Sequence, residues 1–328
     1  MLTRLYINNY KCFSNFLFQP REPSPLMFIG RNGVGKSSLG LVLSLLRDFA
    51  LERNLANYFS SENLSLFAPN APIEIETDVE IGGTVHKVRL IVEPKSNANS
   101  GYRIIESVLD EEARDALKRV VVVKPQPGMI SSRVRPEGAS EPLDVSCSNI
   151  VTWFAAQEAH NVTLRKAFTE RFSLVFDDFV GYSYKSMADG EHLQCQFEKN
   201  GDGFTTIDLS MLSDGEKCQF VSTAISVVNE NTYPMVCFWD EPDNYITTSE
   251  EAALFYALAR SFQKRGQFIA TSHSELGILT FNDCETYVLD RRGHSSPILP
   301  PMNLSEMRDK GLLTGSLRSA LLSGEVAL

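Results

Sequence analysis

The segment that most constrains this chain runs from Pro25 to Phe49. A compact apolar run, Pro25 to Ile29, meets the stretch Gly30-Arg31-Asn32-Gly33-Val34-Gly35-Lys36-Ser37. From Lys36 to Phe49 the residues Leu39, Val42, Leu43 and Leu46 fall on one helical stripe. The order predicts a buried strand, a tight loop and an amphipathic helix. The glycines let the backbone turn so that successive N–H groups face one anion, and the helix beginning near Lys36 adds its positive end. A glycine-rich strand-to-helix turn with no ligand is the plain alternative. The flanking strand and helix are, however, what a phosphate cradle of the form G-x-x-x-x-G-K-[ST] requires. In that reading Lys36 reaches the β- and γ-phosphates and the Ser37 hydroxyl ligates Mg²⁺. Gly30, Asn32, Gly33, Gly35, Lys36, Ser37 and Ser38 form the candidate binding set.

A second segment narrows the chemistry. Met235-Val-Cys-Phe-Trp-Asp240-Glu241-Pro242 reads as an apolar strand ending in two acids. Acids often end strands merely as turn formers. Downstream of a phosphate loop, Asp240 is placed to hold Mg²⁺, and Glu241 is a candidate base for an attacking water. Together the two segments predict a P-loop nucleoside triphosphatase.

The remaining pattern agrees with an α/β chain. Leu2 to Ile7 and Phe16 to Phe18 read as paired strands. Ile73 to Val92 alternates with period two around Gly82-Gly83, which predicts a hairpin. Arg119 to Val123 is a further β-branched run, followed by a Pro-, Ser- and Gly-rich loop. Asn149 to Gln157 reads as a strand or the start of a helix, with a helix expected through about Phe176, and two strands are expected around a Lys199–Gly203 turn. Ser213–Val228 and Ser249–Gln263 read as helices, alternating with strands at Met235–Trp239, Gln267–Thr271 and Thr286–Leu289. Such alternation predicts a parallel sheet. The expected organisation is a first ATPase lobe over 1–123, a loop with a short helical insertion over 124–180, and a second lobe over 181–328.

Composition removes several classes. The 328 residues are 43% hydrophobic, and no run of about 20 apolar residues predicts a membrane span. The N-terminus lacks the apolar segment of a signal peptide. Six scattered cysteines without a C-x-x-C pair fit buried, reduced thiols in a cytoplasmic protein better than a zinc site. The net charge of −10 argues against a broad nucleic-acid surface. Asp78 with Glu93-Pro-Lys95 imitates a nuclease core, but the hairpin is already accounted for. The acid clusters Asp110-Glu111-Glu112 and Asp177-Asp178 read as solvated faces or turns. A Ser or Cys hydrolase lacks support, since the sequence shows neither a G-x-S-x-G elbow nor a Cys/His constellation.

Leu212-Ser213-Asp214-Gly215-Glu216 decides among the triphosphatases. Ser213 with Glu216 is a capping box, and a capped helix N-terminus is also an anion site. This L-S-D-G-E stretch resembles the signature motif of ABC-type ATPases of the SMC/RecF-like branch, where LSxGE replaces LSGGQ. Leu5–Phe13, LYINNYKCF, resembles the family's opening strand and turn, with Tyr10 where Phe is usual. Glu241-Pro-Asp243-Asn244-Tyr245-Ile246 resembles its D-loop, and Phe268–His273, FIATSH, its switch-histidine strand. No D-x-D occurs, which argues against a Toprim-type metal site of the kind that some related ATPases append, so the resemblance is to the OLD-like branch without Toprim.

The resemblance implies an α/β fold with a mixed sheet of the ABC-ATPase type, an N-terminal antiparallel β lobe and a short helical lobe. It implies ATP and Mg²⁺ as ligands, Ser213 and Gly215 as nucleotide contacts, and His273 as a γ-phosphate contact. It also implies a Q-loop glutamine, for which Gln157 is preferred to Gln126. In this family the phosphate loop of one subunit faces the signature helix of another, so an ATP-dependent head-to-tail homodimer is expected. Residues 124–180 are too few for a coiled-coil arm. The expected role is a switch controlling a separate effector protein, as in prokaryotic anti-phage defence; the alternative is a DNA-associated ATPase of repair or recombination.

Overall fold

The computed structural model describes residues 1–65, 67–94, 101–138, 141–199, 203–272 and 285–311. In chain order the strands and helices begin with β1 (Leu2–Asn8), β2 (Phe16–Phe18), β3 (Leu26–Ile29) and α1 (Lys36–Ala50). They continue with β4 (Ile73–Ile81), β5 (Thr84–Pro94), β6 (Tyr102–Val108), α2 (Glu111–Leu117) and β7 (Val120–Val123). Next come α3 (Ile150–His160), α4 (Leu164–Phe172), β8 (Phe179–Met187), β9 (Gly190–Glu198) and β10 (Phe204–Asp208). The rest are α5 (Asp214–Asn231), β11 (Val236–Asp240), α6 (Thr248–Phe262), β12 (Gln267–Ser272), β13 (Glu285–Val288), β14 (Met302–Asn303) and α7 (Leu304–Asp309).

The chain forms two compact units. One comprises Met1–Val120, Met235–Pro242 and Gly266–Leu328; the other comprises Val121–Pro234 and Asp243–Arg265. Residues 124–180 therefore lie inside the second unit, and 181–328 is shared between the two.

In the first unit β3, β11, β12 and β13 run parallel, ordered β13-β3-β12-β11, with β14 added antiparallel beside β13. All four residues of β3 are buried, as expected of a central parallel strand covered on both faces. Its loop helix α1 buries Leu39, Val42, Leu43, Leu45 and Leu46. Phe28 meets Phe18 with ring centroids 4.9 Å apart, and Phe18 meets Tyr287 at 4.9 Å. Burial of each such ring contributes about 2 kcal/mol.

A separate antiparallel sheet has the order β2-β1-β4-β5-β6. Ile73, Ile75, Thr77 and Val79 of β4 point to its buried face. The charged side chains of the other face pair across strands, Arg4 with Glu76 at 2.8 Å and Arg89 with Glu74 at 2.7 Å. The Asp78 and Glu93 pair does not form a nuclease core. Asp78 lies opposite Lys87, six residues and about 20 Å along β5 from Glu93, which is bound to Arg103 at 2.6 Å. Asp110 caps α2 by accepting from Ala113 N at 2.8 Å and pairs with His86 Nδ1 at 2.9 Å.

The second unit holds the three-stranded antiparallel sheet β10-β9-β8 and the helices α3 to α6. Helix α5 is buried along most of its length, and Phe220 on it joins Phe154, Phe168, Phe172 and Phe179 in one aromatic cluster. The expected single helix to Phe176 is two helices. They break at residues 161–163, where Asn161 Oδ1 accepts from Thr163 N at 3.1 Å and Asn161 Nδ2 donates to Asn231 O at 3.0 Å. No arm projects at this point; three residues join α3 to α4.

Among the described residues no helix is long and apolar enough to cross a membrane. Cys12, Cys147, Cys195, Cys218 and Cys237 are buried and form no disulfide; Cys284 lies outside the described residues.

Candidate functional site

Residues 30–35 form the turn between β3 and α1. Gly30 has φ +151, and a Cβ there would stand 2.3 Å from the Leu289 carbonyl oxygen, so this position admits no side chain. Gly35 is the N-cap of α1, with φ 117 and no side-chain cap. The first-turn amides of α1 are therefore not competed for by a capping side chain, which suits an anion. Lys36 is buried, and its Nζ donates to Gly30 O at 2.6 Å and Arg31 O at 3.3 Å. The ammonium is held within the arc of the loop.

Ser37 Oγ donates to Asp240 Oδ2 at 2.6 Å. The other oxygen of Asp240, Oδ1, accepts from Thr271 Oγ1 at 2.7 Å. Asp240 and Thr271 are register partners on the parallel strands β11 and β12. Asp240 is buried at 4% exposure, and both of its oxygens are engaged by hydroxyls. Thr271 also holds the next residue: Glu241 N donates to Thr271 Oγ1 at 3.0 Å and to Thr271 O at 3.2 Å. Glu241 itself has φ 55, the left-handed region that costs a non-glycine residue about 1 kcal/mol or more. Strain of this kind at a strand end marks a residue whose position matters.

The donor set fits Mg-ATP on this geometry. A serine hydroxyl and a carboxylate lie side by side, the hard oxygen ligands that Mg²⁺ takes. A buried ammonium stands in a loop where Gly30 and Gly35 leave no room for side chains.

The same unit contributes a pocket of about 210 Å³ beside the loop, bordered by Gly33, Gly35 and Ser38. Cys12 lines it, and burial pushes its thiol up, opposed by a hydrogen bond with Ser38 and by the charges of Arg291 and Lys11.

In the second unit Ser213 is the N-cap of α5. Its Oγ accepts from Glu216 N at 3.3 Å, and Glu216 Oε2 accepts from Ser213 N at 2.7 Å, the capping box that the sequence predicts. A Cβ on Gly215 would lie 3.2 Å from Tyr245 O, so the start of α5 abuts the stretch read as a D-loop. Tyr245 has φ 70 and is 53% exposed. Gln157 lies inside α3, whereas Gln126 is exposed beyond the buried strand β7, its N–H bound to Ser146 O at 2.9 Å. His273 lies outside the described residues.

The structure thus brings Gly30, Gly33, Gly35, Lys36, Ser37, Ser38, Asp240 and Glu241 into one unit, and Ser213, Gly215 and Gln157 into the other. Asn32 sits exposed on the loop turn. Thr271 escapes sequence reasoning, because nothing along the chain distinguishes it from any threonine in a strand. Only the register of β11 on β12 shows it.

The chain has the mixed α/β fold seen in SMC head domains. It is similar to a solved SMC head bound to the C-terminal winged-helix domain of ScpA, with 15% identity, a TM-score of 0.63, and coverage of 94% of this chain and 99% of that one. It is similar to the SMC head domain from Thermotoga maritima, with 18% identity, a TM-score of 0.51 and coverage of 91% and 98%. A third is the Smc head with an extended coiled coil bound to the C-terminal domain of ScpA derived from Pyrococcus furiosus, with 12% identity, a TM-score of 0.62 and coverage of 94% and 98%. No family model and no curated protein matches the sequence.

Proposed function

We propose that this chain is a Mg-ATP-dependent ATPase of the ABC type whose nucleotide cycle switches its pairing with a second copy and so controls a separate effector protein. The observation that carries the reading is the 2.6 Å bond from Ser37 Oγ to Asp240 Oδ2, between groups 203 residues apart in sequence. It joins the first turn of the loop helix to the end of the second acid strand.

Bound Mg-ATP supplies the phosphoanhydride to be cleaved. Lys36 exchanges loop carbonyls for β- and γ-phosphate oxygens, and the amides of Gly33 and Gly35 with Ser38 surround the same charge. Ser37 and Asp240 would hold the metal, which would neutralise phosphate charge. Glu241 accepts the proton of the attacking water, and His273 contacts the γ-phosphate. Ser213 and Gly215 at the start of α5 approach the nucleotide of a second copy. Two positive helix ends then close on one triphosphate, and they part when its charge is lost. Gln126, at the exposed end of a buried strand, fits a Q-loop role better than Gln157, which is built into a helix.

Two of the similar structures are SMC heads seated on a domain of ScpA, which supports a partner protein that senses the nucleotide state. The three-residue link from α3 to α4 and the charge of −10 favour a regulator over a long-range DNA tether. We place that regulator in prokaryotic defence.

Phosphate release by wild type, Lys36→Ala and Glu241→Gln, with and without double-stranded DNA, tests the reading. Wild type should turn over Mg-ATP and Lys36→Ala should fall to background. Glu241→Gln should be slow and should elute as an ATP-stabilised dimer. Unchanged hydrolysis in Lys36→Ala, or a monomeric Glu241→Gln in saturating Mg-ATP, refutes the mechanism. Strong stimulation by DNA would move the chain to the repair and recombination class.

A further inference from the structure

The pocket beside the phosphate loop has walls that belong to neither nucleotide motif. Phe67 and Leu64 come from the segment between α1 and β4, and Arg291 and His294 from the segment after β13. That second segment is built against the loop. Leu289 N donates to Ile29 O at 2.8 Å, and the Leu289 carbonyl oxygen occupies the space a Gly30 side chain would need. His294 Nε2 stands 3.8 Å from a Cβ placed on Gly33. Ile298 N donates to Cys12 O at 2.9 Å, which ties the same segment to the turn after β1.

The lining therefore offers two aromatic rings and a guanidinium plane, groups that pack against flat π-systems, at a site contiguous with the phosphate cradle. Its 210 Å³ suits one end of a nucleotide rather than the whole. Resting on the nucleotide reading above, we propose that this pocket receives the nucleobase and that Phe67 and His294 are the residues that hold it. The phosphate loop then binds charge without regard to what is attached to it. The preference for a nucleotide over a bare triphosphate arises at these two rings.

The test compares the binding of Mg-AMP-PNP and Mg-tripolyphosphate by calorimetry. Wild type should bind the nucleotide at least about tenfold more tightly than tripolyphosphate. The Phe67→Ala/His294→Ala double variant should lose roughly tenfold in nucleotide affinity, about 1.4 kcal/mol, and keep its affinity for tripolyphosphate. His294 is exposed, so the single variant His294→Ala guards against a folding defect and should show part of the same selective loss. Equal losses for both ligands, no loss for the nucleotide, or a wild type that does not distinguish the two ligands would overturn the assignment and leave the phosphate site standing. A wild type that binds neither ligand would overturn the nucleotide reading, and this inference with it.

Discussion

Thr271 carries the most informative single substitution, because it touches both acids of the site and binds nothing itself. It is fully buried, its hydroxyl donates to Asp240 Oδ1 at 2.7 Å, and it accepts from Glu241 N at 3.0 Å. Thr271→Val removes one hydrogen bond to a carboxylate, worth about 1.5–3 kcal/mol, and one to an amide, worth about 1 kcal/mol. The extra buried methyl returns about 0.8 kcal/mol. The net expectation is a loss of about 2–3 kcal/mol, read from equilibrium unfolding in urea. Thr271→Ser keeps the hydroxyl and should lose much less. Asp240→Ala in a double-mutant cycle with Thr271→Val should show coupling of about 1–2 kcal/mol, since both variants remove the Thr271–Asp240 bond. In hydrolysis, Thr271→Val should raise several-fold the Mg²⁺ needed for half-maximal rate, because Asp240 loses the group that orients it. A valine variant within about 0.5 kcal/mol of wild type, or a serine variant as damaged as the valine one, refutes the argument.

Three further outcomes follow from the same geometry. Gly35→Ala would set a Cβ 2.7 Å from Cys12 Sγ at φ 117, so nucleotide binding should fall at least about tenfold; adding Cys12→Ala relieves the contact but not the dihedral, and calorimetry should show partial recovery. Ser213→Ala should cost about 1 kcal/mol through loss of the cap, whereas Ser213→Asp keeps a capping oxygen and turns its charge against phosphate. The aspartate variant should therefore unfold like wild type yet fail to pair in Mg-ATP by light scattering. Asp144 is subject to burial, which raises its carboxyl, but the hydroxyls of Ser148 and Ser146 and the amides of Ser148 and Asn149 outweigh it and hold the pKa below the ordinary value. A depressed folded pKa stabilises above the unfolded value of about 3.9 and is lost as pH falls through the folded one. Wild type should exceed Asp144→Asn in stability at pH 7, and urea midpoints should show the gap closing below about pH 4.

How much of this was legible depended on whether a segment had one face to bury. Helix α1 and the hairpin β4-β5 carry plain periodicities because each sets a buried face against a solvated one, whereas the loop strand β3, buried on both faces, shows as a continuous apolar run; the limits of all three came within a residue or two of expectation. The strand β6 was not expected, and its residues are almost all exposed at an edge of the antiparallel sheet. Without a core face it has no alternation to show. β8 was also missed: it buries only Phe179 and Tyr182, three residues apart. Its signal was the turn instead. Asp189-Gly190 follows the strand, and Met187 pairs with Gly190.

The site divides along a similar line. Residues that act through the loop's own backbone or at a strand end are spelled out in sequence, since the glycines, the lysine and the paired acids are needed in fixed local order. The orientation of Asp240 depends instead on a neighbour 31 residues away, brought alongside by a parallel crossover. The nucleobase pocket is set in the same way, by two segments that meet only once the sheet has formed. Local order specifies which atoms can hold a triphosphate. Strand register specifies how firmly they are aimed and what may be attached to the phosphate, which is why Thr271, Phe67 and His294 are the positions where substitution separates affinity for the phosphates from alignment of the metal ligand and from recognition of the base.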